Sequence, residues 1–362
     1  MSGKLIAAIA VMLSVSSMSI TEVQAPNIEE ISIVAAGDNL IHSTVYKAKD
    51  QNPEMADAPY DYIYENISEY ISTFDIRVLN QETVLINDES KYSGYPTFGS
   101  PVQIGEAVAN AGFNLITQAT KHAYDKKEQG IIDSINFWRS KEIPVLGIHD
   151  SKEDADNIYI WEGEYTKIAF LNYTYGLNGF VLPEGKEYLC DTLYDEQKMA
   201  DDIKKANELA DVVIVFPHWG TEYTHKETKQ QTRLAQLIAD CGADAIIGCH
   251  PHVIEPMKTI TAADGRRVPV FYSLGNLISG QTEVNRNLGA FAEVYIKNVD
   301  GEITIETNMI PVVTHRERGF VQAWLLGDYS DDMAKNHRLR NKGLTEEKLW
   351  NIWNDVIKNN EY

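Results

Sequence analysis

Cysteine is scarce in this chain. There are three cysteines among 362 residues, Cys190, Cys241 and Cys249, which are too few and too scattered for the disulfide framework of small secreted domains. Cys249 directly precedes His250, and we interpret it as a small buried residue in preference to a thiolate metal ligand. The fold must therefore depend on a hydrophobic core, which the chain length and a hydrophobic content of 44% allow.

Basic residues are also few compared with acidic ones. The chain has 32 Lys and Arg against 53 Asp and Glu, and its formal net charge at pH 7 is -21. Nucleic acids and anionic membrane surfaces are bound through clustered Lys and Arg, so the composition disfavours both as partners, and we expect no nucleic acid. A polyanionic substrate would require a bound cation that inverts the local field at the site.

The apolar segment at the N terminus is shorter than a membrane-spanning helix. Lys4 precedes an apolar stretch over 5–13 that continues through small residues to Ile20, whereas a spanning helix prefers about 20 apolar residues. We predict that residues 1–25 form a secretory signal peptide. Because Pro26 is unfavourable beside a cleavage site, retention as an N-terminal anchor is the alternative. The expected location is extracytoplasmic in a bacterium, either secreted or at the cell surface, with any membrane association made through this segment.

The pattern along the chain indicates α/β architecture. Apolar strand-like runs alternate with amphipathic helical stretches over roughly the first 215 residues, and the pattern becomes strand-rich from Val268. There is no internal repeat and no low-complexity tract. We predict a linker over 26–30, one domain over 31–315 and a C-terminal helical extension over 316–362.

Five apolar runs end in loops that carry a histidine, an acid or both, and these loops hold five of the nine histidines. In an open α/β sheet, residues beyond the carboxyl ends of the strands converge although they are distant in sequence. Imidazole and carboxylate together suit first-row divalent metals such as manganese, iron or zinc. The side chains at these strand ends are Asp38, His42, Glu82, His122, His218, His250 and His252.

The shortest histidine spacing strengthens this interpretation. His250-Pro251-His252 places two imidazoles on one loop, and the proline stiffens the turn between them. Together with the other strand ends, this motif predicts a site for one or two divalent metal ions.

The motifs also resemble a known family over about residues 31–313. In order along the chain they are Gly37-Asp38 with His42, Asn80-Gln81-Glu82-Thr83, His122 with Asp125, His218-Trp219-Gly220-Thr221-Glu222-Tyr223, Gly248-Cys249-His250-Pro251-His252-Val253, and Tyr272-Ser273-Leu274-Gly275-Asn276. This set is similar to the CapA family of bacterial capsule and poly-gamma-glutamate synthesis proteins, whose fold is similar to that of calcineurin-like metallophosphoesterases. The resemblance implies an α/β (α+β) fold, a four-layer α-β-β-α sandwich of two mixed sheets with the site at the strand ends.

The resemblance further implies roles for individual residues. His122 would be the acid that protonates a leaving group. Two cations would clamp a phosphoryl or acyl oxygen and lower the pKa of a water. The implied ligands are Asp38, His42 and His252 for one metal, His218 and His250 for the second, and Glu82 between them.

One position departs from the family pattern. The family usually has Asn-Asn-His where this chain has Thr120-Lys121-His122, and the second Asn would be a ligand of the second metal. A protonated lysine cannot coordinate a metal, so Lys121 would fill part of the second site or bind an anionic substrate group. A dinuclear site and a mononuclear or degenerate site both remain open.

Other residues near the motifs are candidates for substrate contact or for support of the ligands. Glu222 follows His218 by four residues and would orient its imidazole, with a solvated loop acid as the alternative. Trp219 and Tyr223 would line a substrate wall or pack in the core. Asn80 and Asn276 are the remaining polar candidates.

The resemblance implies an exported protein for the biosynthesis, export or anchoring of a capsule or of poly-gamma-glutamate, with a metal-dependent hydrolase site. Its partner would be an anionic extracytoplasmic polymer or the machinery that makes it. One alternative is a secreted metallophosphoesterase unrelated to capsule. Another is a non-catalytic polymer-binding scaffold that keeps a relic site.

Overall fold

The computed structural model describes residues 25–48 and 60–358. Most of the predicted signal segment over 1–25 lies outside these residues. The described strands are β1 (Ile28–Leu40), β2 (Ile76–Asn80), β3 (Leu85–Ile86), β4 (Ser100–Pro101), β5 (Leu115–Thr117), β6 (Val145–Leu146), β7 (Tyr159–Glu162), β8 (Lys167–Thr174), β9 (Val212–His218), β10 (Ala245–Ile247), β11 (Met257–Thr261), β12 (Arg267–Phe271), β13 (Asn276–Ser279), β14 (Leu288–Val299), β15 (Glu302–Glu317) and β16 (Phe320–Leu325). The described helices are α1 (Ser43–Tyr46), α2 (Glu65–Ile71), α3 (Val102–Asn110), α4 (Lys127–Ser140), α5 (Lys152–Ala155), α6 (Glu196–Leu209), α7 (Lys229–Asp240), α8 (Asp331–Asn336) and α9 (Glu346–Val356).

Most of these strands form two mixed sheets. The larger has the order β16-β15-β14-β1-β2-β5-β6, and β13 also pairs with β1. In it β1 runs antiparallel to β14 and parallel to β2 and β13. The smaller sheet has the order β11-β12-β10-β9-β8-β7. Its inner strands are parallel, and β7 and β11 close its edges in antiparallel pairing.

The two sheets share one hydrophobic core. Ile33 and Val78 of the larger sheet and Phe170 and Ile214 of the smaller sheet belong to the same buried cluster. Because neighbouring side chains of a strand face opposite sides, the alternate residues of each strand must be covered by something else.

Helices cover the outer faces of both sheets. On the larger sheet, Val34 packs in a cluster with Ile104 of α3 and Trp138 of α4. On the smaller sheet, the cluster that contains Val213 and Val215 also includes residues of α6 and α7. The predicted α/β fold, a four-layer sandwich of two mixed sheets between helices, is confirmed.

The C-terminal part continues the larger sheet before it becomes helical. The predicted boundary at residue 315 falls inside β15, which pairs with β16 from Val312 to Glu317. Beyond it, Leu349 and Trp353 of α9 are buried in the core between the sheets. The predicted linker over 26–30 overlaps the start of β1.

Among residues 25–48 and 60–358, no helix has both the length and the apolar character needed to cross a membrane.

Candidate metal centre

The predicted strand-end residues converge where the two sheets meet. Strands of the larger sheet bring three of them, and strands of the smaller sheet bring the rest. All are buried. They are Asp38 in β1, Glu82 after β2, His122 after β5, His218 at the end of β9, and His250 and His252 after β10.

A close backbone approach fixes the end of β1. The amide of Asp38 donates to the carbonyl oxygen of Gly275 at 2.8 Å. A Cβ atom on Gly37 would lie 2.1 Å from that oxygen, so a larger residue would push β1 and the Gly275 turn apart. The register between β1 and β2 also shifts between Ala36 and Asp38. Glycine at position 37 therefore allows the close backbone approach that positions Asp38 in the centre.

The His250-Pro251-His252 loop has an unusual backbone. His250 has φ +103° and His252 has φ +59°, in the left-handed region that residues other than glycine rarely adopt. The amide of His250 lies 3.3 Å from both carboxylate oxygens of Asp38. Strain of this kind clusters at functional sites, where surrounding contacts hold it.

Among the residues that the structure describes, three overlapping groups of side chains have ligand atoms within 4.8 Å of one another. Two of the groups share Glu82, as a bridging carboxylate would. The groups are Asp38, Glu82 and His252; Glu82, His218 and His250; and Glu222, His250 and His252.

Several buried polar atoms of these groups fit a cation. Within the described part of the chain, both carboxylate oxygens of Glu82, both ring nitrogens of His218 and Nδ1 of His250 have no hydrogen-bond partner. Buried polar atoms are rarely left unpaired, because desolvation without a partner is costly. The residues present therefore suit a divalent metal ion.

The protonation states of two of the histidines agree with this fit. Burial lowers the pKa of His218 and of His250 well below the usual value, so both imidazoles are neutral, as metal ligands must be. Burial raises the pKa of Glu82 well above its usual value, and the nearby charge of His252 opposes that rise. A bound cation would favour the ionised carboxylate of Glu82.

Neighbouring side chains hold His252 in place. Its Nδ1 lies 3.0 Å from Oδ2 of Asp38, 3.1 Å from Oδ1 of Asn276 and 3.6 Å from Oε2 of Glu82. Asn80 also donates to Oδ1 of Asp38 at 2.8 Å. Asn80 and Asn276 therefore support the ligands through hydrogen bonds.

His122 lies beside the centre and has a carboxylate partner. Its Nδ1 is 2.7 Å from Oδ2 of Asp125, and its Nε2 is 3.9 Å from Oε1 of Glu82. Asp125 also accepts from the amide of Phe98 at 2.6 Å and from the side chain of Asn178 at 2.9 Å. The imidazole is thus oriented with one nitrogen toward the cluster.

His42 does not join any of the three groups. Its Nδ1 accepts a hydrogen bond from the amide of Gly280 at 3.0 Å, and its ring meets Phe98 edge-on at 5.2 Å. Burial lowers the pKa of His42 to about 4. The predicted ligand His42 therefore stands at the periphery of the centre.

Lys121 and Glu222 contact each other. Nζ of Lys121 lies 2.5 Å from Oε1 of Glu222. The predicted partner of Glu222 was His218, but its carboxylate pairs with this ammonium.

The two aromatic candidates have different environments. Trp219 is buried in the core beneath the helices, and its indole donates to the carbonyl oxygen of Tyr272 at 2.9 Å. It does not form a substrate wall, because its ring is buried among residues of the smaller sheet, α6 and α7. Tyr223 is 39% exposed, its ring centroid is 6.0 Å from that of His252, and the guanidinium of Arg286 covers the ring at 3.5 Å.

Tyr175 was missed by the sequence reasoning. Its ring centroid lies 4.4 Å from that of His250, and its amide donates to the carbonyl oxygen of His218 at 2.9 Å. Tyr175 directly follows β8, so it occupies a strand end like the predicted residues. Its position at a strand end was the sequence signal that could have identified Tyr175.

Cys249 is buried, and burial raises the pKa of its thiol, in line with the predicted non-ligand role.

Comparison with known families gives a match over most of this region. The family model described as bacterial capsule synthesis protein PGA_cap matches residues 32–281. The capsule biosynthesis protein CapA of Bacillus anthracis is 28% identical over 250 residues, which are 66% of this chain and 58% of that protein. The PGA biosynthesis protein CapA of Bacillus subtilis is 28% identical over 198 residues, 53% of this chain and 49% of that protein. The matches thus span about half the length of these relatives.

Solved structures with a similar arrangement have low sequence identity. A phosphatase from Mycoplasma pneumoniae has a TM-score of 0.48 and 14% identity, with 79% of this chain and 95% of that chain covered. The NAD nucleotidase of Haemophilus influenzae has a TM-score of 0.43 and 13% identity, with 91% of this chain and 67% of that chain covered.

Proposed function

Because the chain belongs to the PGA_cap family of bacterial capsule synthesis proteins, we propose that it acts in making, exporting or anchoring an extracytoplasmic capsule polymer. The name of the Bacillus anthracis relative supports a role in capsule biosynthesis. The name of the Bacillus subtilis relative, together with the family resemblance, makes poly-gamma-glutamate the candidate polymer. The partner would be that anionic polymer or its synthesis machinery. A location outside the cytoplasm accords with the signal segment predicted over residues 1–25.

Within this role, we propose that the centre is a metal-dependent hydrolase site. The proposal rests on the buried oxygen and nitrogen atoms of Glu82, His218 and His250 that have no hydrogen-bond partner and could bind a metal ion. Asp38 and His252 complete the ligand set around Glu82. A divalent ion held there would polarise a phosphoryl or acyl oxygen and make a bound water a nucleophile near neutral pH.

The remaining residues have supporting tasks. His122, oriented by Asp125, protonates the leaving group. Asn276 keeps His252 facing the centre, because its side-chain nitrogen donates to the carbonyl oxygen of His252. Tyr223, which is partly exposed beside His252, would contact a substrate bound at the centre.

Turnover of simple esters tests the proposal. The purified protein would be supplied with Mn²⁺ and assayed on p-nitrophenyl phosphate, bis(p-nitrophenyl) phosphate and p-nitrophenyl acetate. We expect hydrolysis of at least one ester, lost on chelation and reduced about 100-fold or more in His250→Ala and in His122→Ala. His225→Ala is the matched control, because His225 bonds the carbonyl oxygen of Ile254 and is absent from the metal groups.

The opposite result would favour the polymer-binding scaffold. No turnover of any ester, together with poly-gamma-glutamate binding that survives chelation, would contradict the hydrolase proposal.

A further inference from the structure

An ion pair occupies the edge of the candidate centre. Nζ of Lys121 and Oε1 of Glu222 are 2.5 Å apart, and the two side chains are 22% and 27% exposed. Glu222 also belongs to a candidate metal-binding group, together with His250 and His252. An ammonium therefore already contacts a carboxylate that a metal ion in this group would require.

Hydrogen bonds on both sides fix the segment that carries Lys121. The hydroxyl of Thr120 donates to the carbonyl oxygen of Glu82 at 2.7 Å. On the other side, the ring of His122 is held by Asp125. The backbone of Lys121 thus has a set position next to Glu82.

The ammonium of Lys121 lies against one of the candidate groups. Because Glu222 belongs to the group with His250 and His252, the positive charge of Lys121 would repel a divalent ion bound in that group. A protonated lysine also supplies no ligand atom of its own.

We propose that the centre holds one divalent ion, with Glu82 among its ligands, and that the Lys121 ammonium takes the place of a second ion. The inference rests on the proposed function, since it assumes a metal at this site. In the resting protein Lys121 pairs with Glu222. With substrate bound, the ammonium supplies the second positive charge for an oxygen of an anionic phosphate or carboxylate group.

Metal stoichiometry tests the inference without any measurement of activity. Full-length protein would be loaded with Mn²⁺ alone, dialysed and measured by elemental mass spectrometry, and metal-free protein would be titrated with Mn²⁺ by calorimetry. We expect about one equivalent per chain for the wild type and about two for Lys121→Asn, which removes the charge and restores an amide donor. Two variants are controls. Lys121→Arg keeps the positive charge, and Lys127→Asn changes a lysine that lies over the ring of Phe180 and belongs to none of the three candidate metal groups. Both controls should bind about one equivalent of Mn²⁺ per chain.

The outcomes separate this inference from the proposed function. About two equivalents in the wild type would overturn the inference and leave the hydrolase proposal intact. An unchanged stoichiometry in Lys121→Asn would also overturn it. Wild-type protein that binds no Mn²⁺ would overturn both proposals. If Lys121→Asn does not fold, the wild-type titration and Lys121→Arg still decide the result.

Discussion

Asn276 holds His252 at two points. Its side-chain oxygen lies 3.1 Å from Nδ1 of the imidazole, and its side-chain nitrogen donates to the carbonyl oxygen of the same histidine at 3.2 Å. The second contact fixes the left-handed backbone of the residue, and the first fixes its ring. We predict that Asn276→Ala weakens Mn²⁺ binding by about 10- to 100-fold, because the ligand loses its orientation.

Calorimetric titration with Mn²⁺ measures this effect. Asn308→Ala is the control, since Asn308 bonds Glu293 at 2.8 Å on the larger sheet. Equal Mn²⁺ affinity in Asn276→Ala and Asn308→Ala would show that Asn276 does not support a ligand.

Metal should stabilise the folded protein. Glu82, His218 and His250 carry the unpaired buried atoms of the centre, and these atoms converge only in the folded chain. Mn²⁺ at about 100 times its Kd is expected to add about 2.7 kcal/mol to the free energy of unfolding. Thermal unfolding with Mn²⁺ and with a chelator measures this gain, which His250→Ala should abolish. A gain of the same size in His250→Ala would place the bound Mn²⁺ elsewhere on the chain.

Trp219 should matter for stability and not for metal binding. Trp219→Phe removes the hydrogen bond from the indole to the carbonyl oxygen of Tyr272 and part of a buried ring. We expect a loss of about 1–3 kcal/mol in the free energy of unfolding, measured by urea denaturation. The Mn²⁺ affinity of the variant should equal that of the wild type, and a clear loss of affinity would contradict the core role.

A buried histidine outside the centre should make stability depend on pH. Burial opposes the charged form of His149, but hydrogen bonds and charges from Asp154 and Asp191 outweigh it and raise the pKa of His149 to about 9. Since this pKa exceeds the usual value of 6.5, the stabilisation is fully present below pH 6.5 and is lost as the pH rises through about 9.

Comparison of wild type with His149→Asn isolates this contribution. The difference in the free energy of unfolding should reach about 1–3 kcal/mol near pH 6 and shrink near pH 10. Urea denaturation at both pH values measures it. A difference that is constant with pH would contradict the assignment.

The fold and most of the centre follow from local patterns. Apolar runs that end in a histidine or an acid predict that Asp38, Glu82, His218 and His250 lie together, as they do in the structure, because strand ends converge in this architecture. The layer order came from the family resemblance, and the shared core of the two sheets confirms it.

The remaining features depend on contacts between loops that no local pattern records. The approach of Tyr175 to His250 and the pairing of Lys121 with Glu222 join elements of different strands. Trp219 illustrates a different limit. Its position beside His218 suggests a role at the site, but its ring packs in the core beneath the helices. His42 lies near the centre, yet Gly280 engages its ring.

The pairing of β1 bears on where the chain can be shortened. The family match ends at residue 281, yet β1 from Ile28 to Ala36 pairs with β14, which begins at Leu288. A fragment trimmed to the matched region would leave Ile28–Ala36 of β1 without its antiparallel neighbour, while Asp38 would keep its pairing with Asn276 of β13. The smallest autonomous folding unit therefore extends beyond the region that identifies the family, and the segment after residue 281 supports the strand that carries Asp38 although it supplies none of the candidate ligands.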